Sequence, residues 1–98
     1  MPKGYLVATL DVTDEAAYEP YRLRVPALIE RHGGRYLVRG GTFEAIEGSA
    51  EFSRLVVVEF PSVQAAKAFY ADPDYQQIIA QRIDNAAGTL LIAEGIAG

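Results

Sequence analysis

Residues 5–12 (YLVATLDV) alternate with a period of two. Leu6, Ala8, Leu10 and Val12 fall on one face, and Tyr5, Val7, Thr9 and Asp11 on the other. That is the pattern of a strand with its first face on a core and its second, mixed face toward a partner or a wet cavity. Thr13 is suited to an N-cap, and Asp14 and Glu15 suit the positive end of a helix predicted over 14–32. Pro20 and Pro26 lie inside that helix, and each removes a backbone donor, so a kink or break is expected there. Beyond Pro20, the residues Tyr21, Val25, Leu28, Ile29 and His32 form an apolar stripe at helical spacing. Gly33-Gly34 ends the helix, because glycine accepts the left-handed conformation past a helix C-terminus.

The second strand is predicted over 35–39 (RYLVR), with Gly40-Gly41 breaking or bulging it. Residues 42–46 are expected to extend it as a long hairpin arm, with the turn at 47–50. Residues 54–60 (RLVVVEF) form the third strand. The unbroken run Leu55-Val56-Val57-Val58 suits a central strand covered on both faces. Pro61-Ser62 opens a second helix, with Ser62 as N-cap and Val63, Ala66, Phe69 and Tyr70 carrying it to about residue 71. Asp72-Pro73-Asp74 starts a third helix as cap, first helical position and first-turn acid. Its stripe is Tyr75, Ile78, Ile79, Arg82 and Ala86, and Gly88 stops it. A last strand follows over 89–94.

The order β-α-β-β-α-β, with right-handed crossovers, predicts one α+β ferredoxin-like domain over residues 1–98. Its antiparallel sheet has the order 4-1-3-2, with helices on one face. By alternation Tyr5, Val7, Arg35, Leu37, Arg39, Leu55, Val57 and Glu59 fall on the other face. A monomer would leave their apolar members in water, so face-to-face pairing into a homodimer is expected.

Several blocks resemble the domain-of-unknown-function 1330 family, small bacterial proteins of the dimeric α/β-barrel superfamily. They are GYLVATLDVTD at 4–14, HGGRYLVRGG at 32–41, VVVEFPS at 56–62, AFYADPDYQ at 68–76, and Arg82 followed by Asn85-Ala86-Ala87. HGGRYLVRGG is the most specific of them, and the blocks together span nearly the whole chain. The resemblance implies the ferredoxin-like fold and a homodimer and supplies no established reaction. Pro20 departs from what the family leads one to expect of the first helix. By analogy within the superfamily, the resemblance suggests cofactor-independent oxygenation of an electron-rich aromatic, or an isomerisation.

Composition narrows the function more by exclusion than by assignment. The chain has 98 residues, a net charge of −4, nine basic residues spread without a run, and no cysteine. Nucleic acid is not an expected partner, since phosphate binding needs clustered Lys and Arg. No apolar stretch reaches the ~20 residues of a membrane span. Met1-Pro2-Lys3-Gly4 leads straight into strand-like sequence, so no signal peptide and a cytoplasmic address are expected. Without cysteine there is no disulfide, thiol nucleophile or thiolate metal site. One histidine and scattered carboxylates make a metal site an unlikely design, and no phosphate loop or nucleophile elbow occurs, so no cofactor is expected.

The remaining candidates each carry two readings. His32 has the one side chain that titrates near neutrality unperturbed. It reads either as a general acid/base or ligand anchor, or as a cap bonded to a terminal carbonyl. Arg82 interrupts an apolar stripe, where its guanidinium can snorkel, pair internally or bind an anion. Arg39 with Gly40-Gly41 reads as an anion nest or as a bulge, with Arg39 paired to Glu59 or to a second subunit. Tyr18, Tyr21, Tyr70 and Tyr75 suit a small aromatic ligand or ordinary core packing. Asn85 can orient a carbonyl or dioxygen, or simply finish a helix. The candidate site is therefore His32 and Arg82 for chemistry, with Arg39, Gly40, Tyr21, Tyr75 and Asn85 for binding. Three functions fit it: a small-molecule enzyme, a non-catalytic binder of an acidic or aromatic ligand, and a structural dimer with no cavity.

Overall fold

The computed structural model describes residues 2–97. The elements run β1 (Gly4–Val12), α1 (Glu15–Arg31), β2 (Arg35–Arg39), β3 (Arg54–Phe60), α2 (Val63–Ala71), α3 (Pro73–Ile83) and β4 (Ala86–Glu94). The four strands form one sheet in the order β2-β3-β1-β4, with every neighbouring pair antiparallel. This is the predicted α+β ferredoxin-like topology. The core lies between the sheet and the helices, where Leu6, Ala8 and Leu10 of β1 meet Val58 and Phe60 of β3. Tyr18, Tyr21, Val25, Leu28 and Ile29 of α1, with Ala66, Phe69, Tyr75 and Ile78 of α2 and α3, close it from above.

Helix α1 runs unbroken through both prolines. A proline in a helix interior leaves the carbonyl four residues back without its donor. For Pro20 that carbonyl belongs to exposed Ala16, which water can serve. For Pro26 it belongs to Arg22, and the Arg39 Nη2 donates to it at 3.0 Å. A side chain from β2 thus replaces the missing backbone donor. The N-cap is Asp14 rather than Thr13, its carboxylate accepting from the Ala17 N–H at 3.1 Å. At the other end His32 is the C-cap and Gly33 adopts φ 78°. The Gly33 N–H donates to the Glu30 carbonyl at 3.0 Å and the Gly34 N–H to Ile29 at 2.9 Å. These two bonds form the Schellman closure that the glycine pair predicts.

Two further expectations fail for identifiable reasons. Residues 42–46 carry no strand. The β2–β3 pairing ends at Arg39 opposite Val56, and the segment beyond it is exposed. Phe43 and Phe52 stack at 5.0 Å, but a two-stranded arm with no sheet face to bury is marginal in water. The third helix stops at Ile83, and β4 begins at Ala86 rather than Thr89. Ala86 pairs with Val12 instead of continuing the helical stripe, and Gly88 lies within the strand. Gly88 has φ 142°, and a Cβ there would lie 2.0 Å from the Thr9 carbonyl oxygen. That glycine serves close approach of two strands, not a helix stop.

The second face of the sheet is open. Val7 of β1 stands in register between Val57 of β3 and Leu91 of β4, giving an apolar row across three strands. At one end of this face Glu59 accepts from the Tyr5 hydroxyl and from the Arg35 Nε, both at 3.1 Å. Glu59 is therefore the partner of Arg35, not of Arg39. A bulge explains the difference. Tyr36 lies opposite Val58, but Val38 lies opposite Val57, so Leu37 is an extra residue in β2. Past it the alternation inverts, and Arg39 shares the helix side with Val56 instead of the open face.

Candidate functional site

A cavity of about 40 Å³ lies between the sheet and α1. Its floor is apolar, with Leu6, Ala8, Leu10, Val56 and Leu90 contributed by the strands. Its rim is cationic and phenolic: Arg22, Arg39, Arg54 and Arg82 stand beside Tyr18, Tyr21 and Tyr36. No carboxylate belongs to the lining. The bulge at Leu37 delivers Arg39 to this wall, where its guanidinium lies 4.8 Å above the Tyr36 ring and donates to the Arg22 carbonyl. Arg54 stacks on Tyr18 at 5.3 Å.

The four arginines differ in how far they are neutralised. Arg22 is held by Glu19, its Nε donating at 2.9 Å. Arg54 has Glu15 at 3.7 Å, a long contact to an exposed side chain. Arg39 and Arg82 have no carboxylate within 4 Å among the described residues. Arg82 is the stronger case, because it is only 8% exposed and its Nε is buried without a hydrogen-bond partner among the described residues. A buried charge lacking both counterion and full hydrogen bonding is costly. Burial works against its charge, but the nearby Tyr75 and Tyr21 hydroxyls more than compensate, and its pKa is raised.

The phenols are neutral. Burial pushes the Tyr21 pKa well above the ordinary tyrosine value, and the adjacent Tyr75 adds to it. Burial likewise raises Tyr18 and Tyr36. Tyr21 and Tyr75 share a hydrogen bond of 2.9 Å between buried hydroxyls, with Tyr75 standing behind the cavity wall. The wall can thus donate hydrogen bonds and positive charge to a ligand, but it holds no group poised to remove a proton.

Of the predicted site residues, the structure brings Arg39, Arg82 and Tyr21 to one cavity, with Tyr75 bonded to Tyr21. His32, Gly40 and Asn85 are not among its lining. His32 caps α1 with its backbone, and its Nε2 lies 2.8 Å from the Asp72 carboxylate. The same carboxylate accepts from Arg31 at 3.0 Å and, through its other oxygen, from the Asp74 N–H at 2.9 Å. His32 thereby ties the end of α1 to the start of α3. Gly40 has φ 65° just past β2, where a Cβ would lie 3.2 Å from the Arg54 guanidinium. Asn85 donates to the Gln81 carbonyl at 2.9 Å, and its own carbonyl accepts from the Thr13 N–H at 2.8 Å. Its work is to finish α3 and anchor the β1–α1 turn.

Sequence reasoning did not single out Arg54, Arg22 or Tyr36 as site residues. Arg54 and Tyr36 occupy helix-facing positions beside the cavity, and a charged residue at the start of an otherwise apolar strand was the available signal. Among the described residues no group of three or more His, Asp or Glu side chains is placed to hold a metal ion. Among the described residues no helix is long and apolar enough to cross a membrane.

A four-stranded antiparallel sheet in the order β2-β3-β1-β4, with helices on one face and an apolar second face, makes the chain an α+β domain of ferredoxin-like fold. Solved structures share this fold. A protein of unknown function from Rhodopseudomonas palustris, RPA0582, is similar with a TM-score of 0.71 at 21% identity, over 99% of this chain and 84% of that one. A candidate antibiotic biosynthesis monooxygenase from Caulobacter crescentus is similar with a TM-score of 0.67 at 23% identity, over 99% and 91% of the two chains. SnoaB, a cofactor-independent oxygenase from Streptomyces nogalater, follows with a TM-score of 0.64 at 12% identity, over 100% and 97%. The chain belongs to the family described as domain of unknown function DUF1330, which matches residues 3–96. No curated protein matches it significantly.

Proposed function

We propose that this chain acts as a homodimer that binds a small planar anion, such as an aryl carboxylate, enolate or phenolate, with its charged end in the cavity between sheet and helices. One observation carries the reading. Arg39 and Arg82 reach the cavity wall without carboxylate partners, beside phenols that burial keeps protonated. Charge-assisted hydrogen bonds from arginine are the strongest that a protein offers an anion, and their strength rises where water is excluded. The apolar row of Val7, Val57 and Leu91 supports the homodimer, because it would otherwise remain in water.

A catalytic reading uses the same wall. Arginines and neutral phenols that bind an enolate or phenolate also stabilise that charge as it forms or reacts. A substrate that binds already deprotonated could add dioxygen at an electron-rich ring carbon. The peroxide takes up one proton from solvent, its O–O bond breaks and the departing hydroxide takes the ring proton as water, leaving a quinone, with all four electrons that reduce dioxygen coming from the substrate. No protein cofactor takes part in that balance. An isomerisation is supported less, since it needs a base to move the proton and His32 is engaged with Asp72.

Titration of sodium benzoate into the protein, followed by amide chemical shifts, tests the binding reading. Benzoate should shift resonances of Tyr18, Tyr36 and Arg39, and Arg39→Gln should weaken it about tenfold. Saturation without shifts at these residues would remove the cavity as the site. Oxygen uptake with 1-naphthol tests the catalytic reading: one dioxygen consumed per quinone formed supports it, and no uptake above the protein-free rate leaves binding alone.

A further inference from the structure

We infer that Arg82 is a movable partition between the buried cavity and an open groove beside it, and that the ligand is an anion with a flat apolar body occupying both. This inference rests on the anion-binding reading and adds the shape of the ligand and its route inward.

The two spaces are unequal and share a wall. The cavity holds about 40 Å³, room for a few waters. Sites for drug-sized ligands run to roughly 300 Å³ and more. On the α3–β4 side lies a groove of about 380 Å³ lined by Tyr70, Ile83, Leu90, Ile92 and Arg82. Arg82 and Leu90 line both spaces. The groove's other walls are apolar, with Ile83 55% and Tyr70 37% exposed. A ligand confined to the cavity would have to be tiny, and one confined to the groove would leave the phenols and Arg39 unused.

Arg82 is poised to yield. Its charge is buried without a carboxylate, and its Nε has no acceptor. No salt bridge locks the side chain, so a swing toward the groove regains water for the guanidinium while joining the two spaces. Its long stem can follow the apolar wall as the head group moves. An incoming anion then supplies an acceptor for the Nε and stands in for the Tyr75 hydroxyl that the guanidinium contacts at rest. The carboxylate or oxyanion would lie inward between Arg82 and Arg39, and the ring system outward against Ile83 and Ile92.

The test compares acetate, benzoate and 2-naphthoate by chemical-shift titration of the wild type and of Ile83→Ser and Tyr70→Ser. Both substitutions fall at exposed positions, so the fold is expected to persist, and thermal melts check it. Amides of Ile83, Leu90 and Ile92 should move with 2-naphthoate, which should bind at least tenfold tighter than benzoate. Ile83→Ser should erase most of that advantage, weaken benzoate by a smaller factor because its single ring reaches less far along the groove, and leave acetate, which has no ring, unaffected. If 2-naphthoate binds no tighter, or keeps its advantage in both variants, the bipartite site is overturned while the anion site stands. If neither aryl carboxylate binds the wild type, both the inference and the anion reading fall.

Discussion

Removing either hydroxyl of the Tyr21–Tyr75 pair should destabilise the protein, and removing both should cost little more than the milder single change. The two oxygens lie 2.9 Å apart, both side chains are buried, and the residues come from different helices, α1 and α3. Tyr→Phe at one position leaves the other buried hydroxyl short of one hydrogen-bond partner, a penalty of about 1–3 kcal/mol. The two singles should differ. Tyr21 lines the cavity, so after Tyr75→Phe its hydroxyl can turn to a water there. Tyr75 does not line the cavity and is fully buried; after Tyr21→Phe its oxygen still faces the Arg82 guanidinium, which offers no acceptor, so its O–H proton is more nearly stranded. Tyr21→Phe should therefore lie toward ~3 kcal/mol and Tyr75→Phe toward ~1 kcal/mol. In the double variant no orphan remains, and a coupling of about 2–3 kcal/mol should appear in the cycle. Urea unfolding followed by circular dichroism measures all four proteins, with an unchanged slope required for comparison. In a domain of this size each kcal/mol should move the melting temperature by roughly 4–8 °C. Strictly additive losses, or a larger cost for Tyr75→Phe, would refute the account of the pair.

Three other outcomes follow from the structure. Gly88→Ala should destabilise by more than about 2 kcal/mol in the same unfolding assay, since φ 142° and a 2.0 Å approach to the Thr9 carbonyl both exclude a Cβ. The bonds from His32, the Asp74 N–H and Arg31 hold the Asp72 pKa down to about 2 from 3.8, burial opposing them. A depressed carboxylate stabilises the fold above its unfolded pKa, and that contribution fades as pH falls through the folded value. Stability should thus drop between pH about 4 and about 2. Asp72→Asn keeps a capping oxygen and should flatten that part of the pH profile; an unaltered profile would show that Asp72 is not the titrating group. Val57→Asp puts a charge at the centre of the open row beside Val7; on the homodimer proposal, sedimentation equilibrium should show a dimer for the wild type and monomers for the variant. A dimer that survives it does not use this face.

The fold was legible because local signals agreed with one another. The glycines after His32, the Ser62 cap and the Asp72-Pro73-Asp74 start each marked a boundary that the structure keeps. Misreadings arose where a residue serves a distant contact. Gly88 resembles a helix stop, but its reason is the Thr9 carbonyl on a neighbouring strand. Pro26 resembles a helix breaker, but Arg39 takes over the carbonyl it abandons. In the candidate site, Arg82 announced itself as a charge in an apolar stripe and is indeed buried at the cavity. The attraction of His32 was chemical rather than positional, and its orientation depends on Asp72, forty residues away in the chain.

The extra residue in β2 has a consequence for comparing this chain with others. Leu37 inverts the inside-outside order of everything after it in the strand. A relative that keeps the same number of residues but pairs them without the bulge would carry the counterpart of Arg39 opposite that of Leu55, on the open face toward a second subunit instead of toward the cavity. The same arginine would then be an assembly residue in one protein and a pocket residue in the other. Which of the two it is can be decided from the register of β2 against β3, by whether the arginine stands opposite position 56 or 55, before any chemistry is assigned to the guanidinium.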